Sequence, residues 1–352
     1  MIATAHVRQF FQLFLLLKFK YIMQKLALAT LFFLSFLMAF TAQADINDRA
    51  DVDKFINKMV KQHQFERIEL VTLFKSVEIK TKIIETMERP AEGMPWYKYR
   101  KIFMQDKRIQ GGVKFWQDNL KSLTTMQQLY GLPEEVITAI IGVETFYGTR
   151  TGGHRVIDAL ATLGFAYPKR SKFFLSELEN FLLLCREEKM NPLEPVGSYA
   201  GAMGMPQFMP SSYRNFAADY EGDAKRDIWN NPADAIASVA NYFAKHHWQA
   251  GKNIAFPVTA TGEKYKQALT KGLKPDINAK QLKAMHIQLP TQIADNELLK
   301  LLSFEQEKGH DLWVGLENFY VITRYNHSAL YALAVFQLSE AVKQQYVLKT
   351  NE

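Results

Sequence analysis

Cysteine is nearly absent from this sequence: 352 residues carry one, Cys185. A lone thiol closes no intrachain disulfide, and Phe181-Leu182-Leu183-Leu184-Cys185-Arg186 is an apolar helical run, so this one reads as core. No cysteine lies immediately after the N-terminal apolar region, which excludes lipid attachment to a thiol there. Strong charge bias is missing too. Of 43 basic and 36 acidic residues, four basic ones (Arg8, Lys18, Lys20, Lys25) and no acid fall in residues 1–44, which leaves +3 for the remainder. That balance gives no nucleic-acid footprint. Lys18, Lys20 and Lys25 also interrupt the N-terminal apolar stretch, so neither half reaches the length of a membrane span. No period of 20–50 residues recurs, which excludes a repeat array. His246 and His247 are adjacent rather than spaced as ligands, so a catalytic metal is not expected.

What is present begins with a targeting signature. Met23-Gln24-Lys25 precedes an apolar run over 26–40, and Ala42-Gln43-Ala44 has the small-x-small form of a cleavage site. Residues 1–44 are therefore expected to be a signal peptide, with Met23 as an alternative start and Asp45 as the first mature residue. From Asp45 the pattern is helical (Val52, Phe55, Ile56, Met59, Val60, then Leu70, Leu73, Phe74, Val77) until residues 89–95 break it. Helical patterns resume over 96–130, 133–147, 173–189 and 232–247. Between 253 and 320 the texture changes: 254–260, 285–289 and 312–316 read as short strands, with helical pieces such as 279–282 between them. Residues 331–346 close the chain as an amphipathic helix. The expected fold is mainly α, in the α+β sense: an N-terminal helical segment (45–90), a core (91–252), a small α+β insertion (253–320) and C-terminal helices completing the core (321–352).

The most informative carboxylate is Glu144. Leu132-Pro133-Glu134-Glu135 has the form of a helix start, with proline and acids in the first turn. Ile137, Ile140, Ile141 and Glu144 then share one helical face, and Gly148 is expected to end the element. An acid on an apolar face resists ionisation, the state a general acid needs. The alternative is a helix-terminal glutamate satisfied by an arginine or backbone amides.

A second segment, 197–213, is rich in glycine and methionine. Gly201 and Gly204 allow close backbone approach to a ligand, Ser198 and Gln207 offer polar contacts, and Met203, Met205, Phe208 and Met209 offer apolar walls. The alternative is a plain turn ahead of a helix capped by Ser211 or Ser212. Tyr97, Tyr99, Tyr147, Tyr167, Tyr199, Tyr242 and Tyr325 add rings with polar tips, which suit sugars as they suit other half-wet surfaces. Asp219, Glu221, Asp223 and Asp227 fall at loop positions 1, 3, 5 and 9 of an EF-hand-like pattern. Ala224 stands where glycine is wanted and Asn230 where a bidentate glutamate is wanted, so a solvated acidic turn is the competing reading.

The Glu144 segment, Ile157-Asp158-Ala159-Leu160-Ala161-Thr162-Leu163, Tyr167-Pro168-Lys169-Arg170, the run 201–210, Ala240-Asn241-Tyr242-Phe243 and Arg324-Tyr325-Asn326-His327-Ser328 together resemble the membrane-bound lytic transglycosylase B family, over roughly 52–345. The resemblance implies a lysozyme-like core in which Glu144 is the catalytic acid/base. It implies a glycan cleft lined by Ser198, Gln207, Tyr99, Tyr242, Tyr325 and Tyr331. It also brings Asp234 into the acidic loop, giving the candidate metal set Asp219, Glu221, Asp223, Lys225 and Asp234 for a structural calcium, with no cofactor required for the chemistry. The reaction implied is cleavage of the MurNAc–GlcNAc bond of peptidoglycan with formation of a 1,6-anhydromuramoyl end. Alternatives are a lysozyme-type hydrolase and a non-catalytic glycan-binding envelope protein. Expected surroundings are the periplasm, glycan strands, outer-membrane or wall-synthesis partners and no nucleic acid, with the chain acting as a monomer.

Overall fold

The computed structural model describes Ile46 and residues 49–88 and 93–350; the expected signal peptide and the first part of the 89–95 break lie outside the described residues. The chain divides between Asn57 and Lys58, inside helix α1 (Ala50–His63). In the unit before the divide, Arg49 pairs with Asp51 at 2.8 Å.

The unit from Lys58 onward continues through α2 (Arg67–Phe74), α3 (Thr81–Met87), α4 (Trp96–Phe103), α5 (Asp106–Asp118), α6 (Leu120–Tyr130) and α7 (Glu134–Thr145). The 96–130 stretch is three helices because its turns have local stops. Asn119 folds its side-chain amide back onto Phe115 O (2.8 Å), ending α5. Gly131, in the left-handed region (φ 65°), donates to Gln127 O and ends α6. A short strand β1 (His154–Arg155), helices α8 (Val156–Ala166) and α9 (Ser171–Glu187) and strand β2 (Val196–Gly197) follow. β1 and β2 pair antiparallel, and single bridges join Gly197 to Met203 and Met203 to Phe208. Helices α10 (Pro210–Phe216) and α11 (Pro232–Lys245) lead into the insertion.

The insertion comprises β3 (Ala255–Ala260), β4 (Ile277–Asn278), α12 (Ala279–Ala284), β5 (Ile287–Gln288), β6 (Leu298–Glu305) and β7 (His310–Gly315). They form an antiparallel sheet in the order β4-β6-β7-β3-β5, over a core that includes Leu282, Leu299, Leu301 and Val314. The 285–289 stretch is extended only at Ile287–Gln288, because His286 turns through φ 63°. The longest strand, β6, has no counterpart in the sequence reading. Its Leu-Leu-Lys-Leu-Leu run holds no β-branched residue, and Lys300 would mark a solvent face. Lys300 is instead 1% exposed, its ammonium held by Asp276 (2.7 Å) and by Thr270.

Helices α13 (Glu317–Tyr325) and α14 (Ala329–Thr350) return to the helical layer, where α7 is enclosed by α5, α6, α11 and α14. Residues 134–142 are buried all round rather than along the single stripe that periodicity suggested, as suits a helix apolar on every side. Each large aliphatic side chain buried there contributes about 1.5–3 kcal/mol, which holds the polar last turn in place. The expected mainly α class with a small sheet holds. Among the described residues no helix is long and apolar enough to cross a membrane.

Candidate active site

Helix α7 stops at Thr145, short of the expected stop at Gly148. Phe146 (φ 51°), Tyr147 (φ 59°) and Gly148 (φ 81°) are all left-handed, and the first two are disfavoured there by their Cβ atoms. Packing supplies the compensation. The Tyr147 ring lies where a Cβ on Gly142 would meet it at 2.6 Å, and its hydroxyl donates to Arg108 O (2.9 Å). Arg108 is buried, donates to Gly142 O at the end of α7 and stacks on Phe146, 4.7 Å from guanidinium carbon to ring centroid. Thr145, fully buried, donates from Oγ1 to Met205 O (2.9 Å) and accepts from Gly148 N (3.0 Å). Arg108 and Thr145 were not singled out from sequence; the glycines at 111, 112 and 142 were the available signal, since all three accommodate Tyr147.

This turn presents Glu144, half-buried, to α14. Tyr331 donates its hydroxyl to Glu144 Oε1 at 2.6 Å. The Tyr325 ring runs nearly parallel to that of Tyr331 (7° between planes, centroids 6.4 Å), and Tyr242 meets Tyr325 edge-on at 4.8 Å. The Tyr325 hydroxyl donates to Pro206 O (2.6 Å) and that of Tyr242 to Arg324 O (2.5 Å). Burial, then the Glu144 carboxylate, raises the phenols of Tyr331 and Tyr325 well above their ordinary range, and burial pushes Tyr242 up to about 12. Tyr331 is therefore a hydrogen-bond donor to Glu144 at any physiological pH. Tyr99 is buried beside Trp96 and Phe103 and near enough to Tyr331 to raise its phenol further.

The other expected glycan residues lie on the 197–209 loop. Ser198 Oγ accepts from the amides of Ala202 (3.1 Å) and Ala200 (3.3 Å), so it organises the loop. Gln207, itself left-handed (φ 51°), donates through its side-chain amide to Thr151 O (3.1 Å) and Gly204 O (3.0 Å). Together with Thr145–Met205, this ties the loop to the segment that follows Glu144. Phe208 lies 5.8 Å from Tyr242 and 5.9 Å from Tyr325, placing the loop against the tyrosine row. Gly204 is required where it stands, since a Cβ would sit 2.5 Å from Ile228 O. Helix α10 is not capped by the side chain of Ser211 or Ser212: Pro210 opens it, and Glu177 accepts from Ser211 N (2.9 Å) and Oγ (2.7 Å).

Asp158, the neighbouring acid of the sequence motifs, is buried in a structural role. It accepts from Glu78 N (3.0 Å) and from Arg155 Nε (2.8 Å). In the acidic loop, Asp219, Glu221 and Asp234 bring carboxylate oxygens within 4.8 Å of one another. Two oxygens on opposite sides of a calcium ion are about 4.6–5.2 Å apart, so the three fit a hard divalent cation. Asp234 is 1% exposed, and burial, with Glu221 and Asp219 beside it, raises its carboxyl against the pull of amide donors Tyr220 and Asp227. The Asp223 carboxylate is not among these clustered oxygens and accepts from Lys225 N at 2.9 Å. Asp227 likewise accepts from Trp229 N (3.0 Å) and Asn230 N (2.9 Å). Ala224 takes the left-handed turn (φ 65°) that glycine would take without strain.

A helical core that encloses one glutamate-bearing helix, with a tyrosine row facing that glutamate, defines the class. The chain belongs to the transglycosylase SLT domain family, which it matches over residues 47–340. It is 41% identical over 308 residues to the membrane-bound lytic murein transglycosylase B of Escherichia coli (strain K12), covering 85% of this chain and 84% of that protein. Among solved structures it is similar to the soluble lytic transglycosylase SltB1 of Pseudomonas aeruginosa (44% identity, TM-score 0.80, 84% of this chain and 99% of that one). It is also similar to the Escherichia coli lytic transglycosylase Slt35 in complex with calcium (40% identity, TM-score 0.79, 86% and 96%).

Proposed function

We propose that this chain is a peptidoglycan lytic transglycosylase that cleaves the MurNAc–GlcNAc bond with Glu144 as its single acid/base. The observation that carries the reading is the setting of Glu144: a half-buried carboxylate on a rigid helix end, hydrogen-bonded by Tyr331, with the other acid of the motif, Asp158, bound elsewhere. Glycosidases that hydrolyse normally employ two carboxylates about 5–9.5 Å apart, one as acid and one as nucleophile or base. A lytic transglycosylase needs one.

Glu144, protonated, gives its proton to the glycosidic oxygen as the C1–O4 bond breaks. As a carboxylate it then takes the proton of the muramoyl C6 hydroxyl while O6 closes onto C1. One bond is broken and one formed, the proton passes from O6 to O4 over the two steps, and no water is consumed. The Tyr331 donor favours the charged form that the second step uses. Ser198, Gln207, Tyr99, Tyr242, Tyr325 and Tyr331 line the glycan site in this reading. A calcium ion held by Asp219, Glu221 and Asp234 would brace the loop ahead of α11 and supply no chemistry. The signature in residues 1–44 supports export, and peptidoglycan as substrate supports the periplasm.

Purified sacculi digested with the wild-type chain and with Glu144→Gln test the reading. The wild type releases muropeptides lighter by one water than reducing-end products, and the variant, still folded, releases none. Turnover by the variant near the wild-type rate rules out Glu144 as the acid.

A further inference from the structure

A pocket of about 460 Å³ opens beside β2, between the 188–196 segment and the 225–230 loop. Most of its wall surface is apolar, with charged groups at the rim. Trp229 is half-buried and donates its indole N–H to Val196 O (2.9 Å), so its polar atom is satisfied within the wall. Tyr213 lies behind it at 5.9 Å, and Val196 is 39% exposed although it belongs to a paired strand. Three of the charges at the rim are already matched: Glu188 pairs with Arg226, and Asp227 accepts from backbone amides. Two others, Lys225 and Glu194, make no ion pair among the described residues, and Glu194 accepts only from Asn191 Nδ2 at 3.3 Å. They come from the two opposing segments, so an ammonium and a carboxylate flank an apolar floor.

The pocket is coupled to the 197–209 loop on both sides. Val196 runs directly into Gly197 and Ser198, and Ile228 O, on the facing loop, accepts from Met205 N at 2.8 Å. From this juxtaposition we propose that the pocket binds the peptide carried by the muramoyl unit of the glycan strand, an inference that rests on the reading of the chain as a peptidoglycan enzyme. A neutral sugar would use neither unpaired charge. A short peptide with small apolar side chains, a free carboxylate and a free amine uses both, the carboxylate at Lys225 and the amine at Glu194. Four residues reach about 13–14 Å when extended.

The test is calorimetric titration of a synthetic Ala-γGlu-diaminopimelate-Ala peptide into the full chain, beside the same peptide acetylated at its side-chain amine, and into Glu194→Lys. Saturable binding is expected, weakened roughly fivefold by acetylation and again by Glu194→Lys, as suits loss of an exposed ion pair. Acetylation leaves the protein untouched, so its effect is independent of any folding defect. Absence of binding, or binding indifferent to both changes, overturns the proposal. A chitin oligomer that displaces the peptide from this pocket overturns it as well. Titration needs no turnover, so a chain that forms no anhydro product fails the functional reading while the pocket is still decided by peptide affinity.

Discussion

The hydroxyl of Tyr331 lies 2.6 Å from Glu144 Oε1, joining residues 187 positions apart in sequence. The contact locks the start of α14 to the end of α7 and fixes the side chain of the one acid assigned to the chemistry. Removing it tests positioning more than stability. Tyr331→Phe keeps the ring and loses only the donor, and a hydrogen bond to a charged group contributes about 1.5–3 kcal/mol. The expected result is a fall in kcat of roughly 10- to 100-fold with KM little changed. An unaltered kcat removes Tyr331 from the mechanism.

The left-handed turn after Glu144 depends on Gly142. Gly142→Ala places a Cβ 2.6 Å from the Tyr147 ring. Overpacking of this kind destabilises by about 1–3 kcal/mol. Urea unfolding should show that loss, with activity reduced further than the residual folded fraction accounts for, because the same turn carries Glu144. A variant as stable and active as the wild type contradicts the assigned role of the turn.

The carboxylates of Asp219, Glu221 and Asp234 repel one another, and burial already raises the Asp234 carboxyl. A divalent cation relieves both. Calcium is expected to raise Tm, by an amount equivalent to about 2.7 kcal/mol at a hundredfold excess over Kd. Asp234→Asn should reduce that response, and Asp223→Asn, whose carboxylate faces the Lys225 amide, should leave it near wild type. A Tm indifferent to calcium in the wild type counts against the site.

Burial, and then Arg324, lowers the pKa of His246, which stacks under Tyr242 at 4.0 Å. The folded state therefore takes up its proton less readily than the unfolded chain, whose value is about 6.5. The stability contributed by the neutral ring is complete above that value and is lost as pH falls through the lower folded-state value. The Tm advantage of wild type over His246→Gln should shrink as pH is taken from 7.5 toward 5. An advantage that grows on acidification reverses the assignment.

Much of the site was legible before the structure, for a physical reason. Glu144 stood out because a carboxylate among Ile137, Ile140 and Ile141 breaks an apolar pattern, and the 197–209 loop because glycines mark close backbone approach. What was not legible depends on distant pairs. Sequence spacing cannot say that the Tyr147 ring would occupy the space over Gly111, Gly112 and Gly142, or that the carbonyl of Gly142 would be met by a buried Arg108. Strand β6 was missed because the partners of Lys300, Asp276 and Thr270, make burial of its ammonium tolerable. In the acidic loop, spacing picked out Asp219 and Glu221 and the resemblance brought in Asp234 from α11, and these three cluster, while the Asp223 carboxylate meets a backbone amide.

In the proposed mechanism one carboxylate completes the reaction without water, and digestion of sacculi in water enriched with oxygen-18 decides whether it does. Mass spectrometry of the released muramoyl ends should find 1,6-anhydro products carrying no heavy oxygen. Reducing ends labelled with oxygen-18 as the principal product would rule out the single-carboxylate mechanism and make the enzyme a hydrolase.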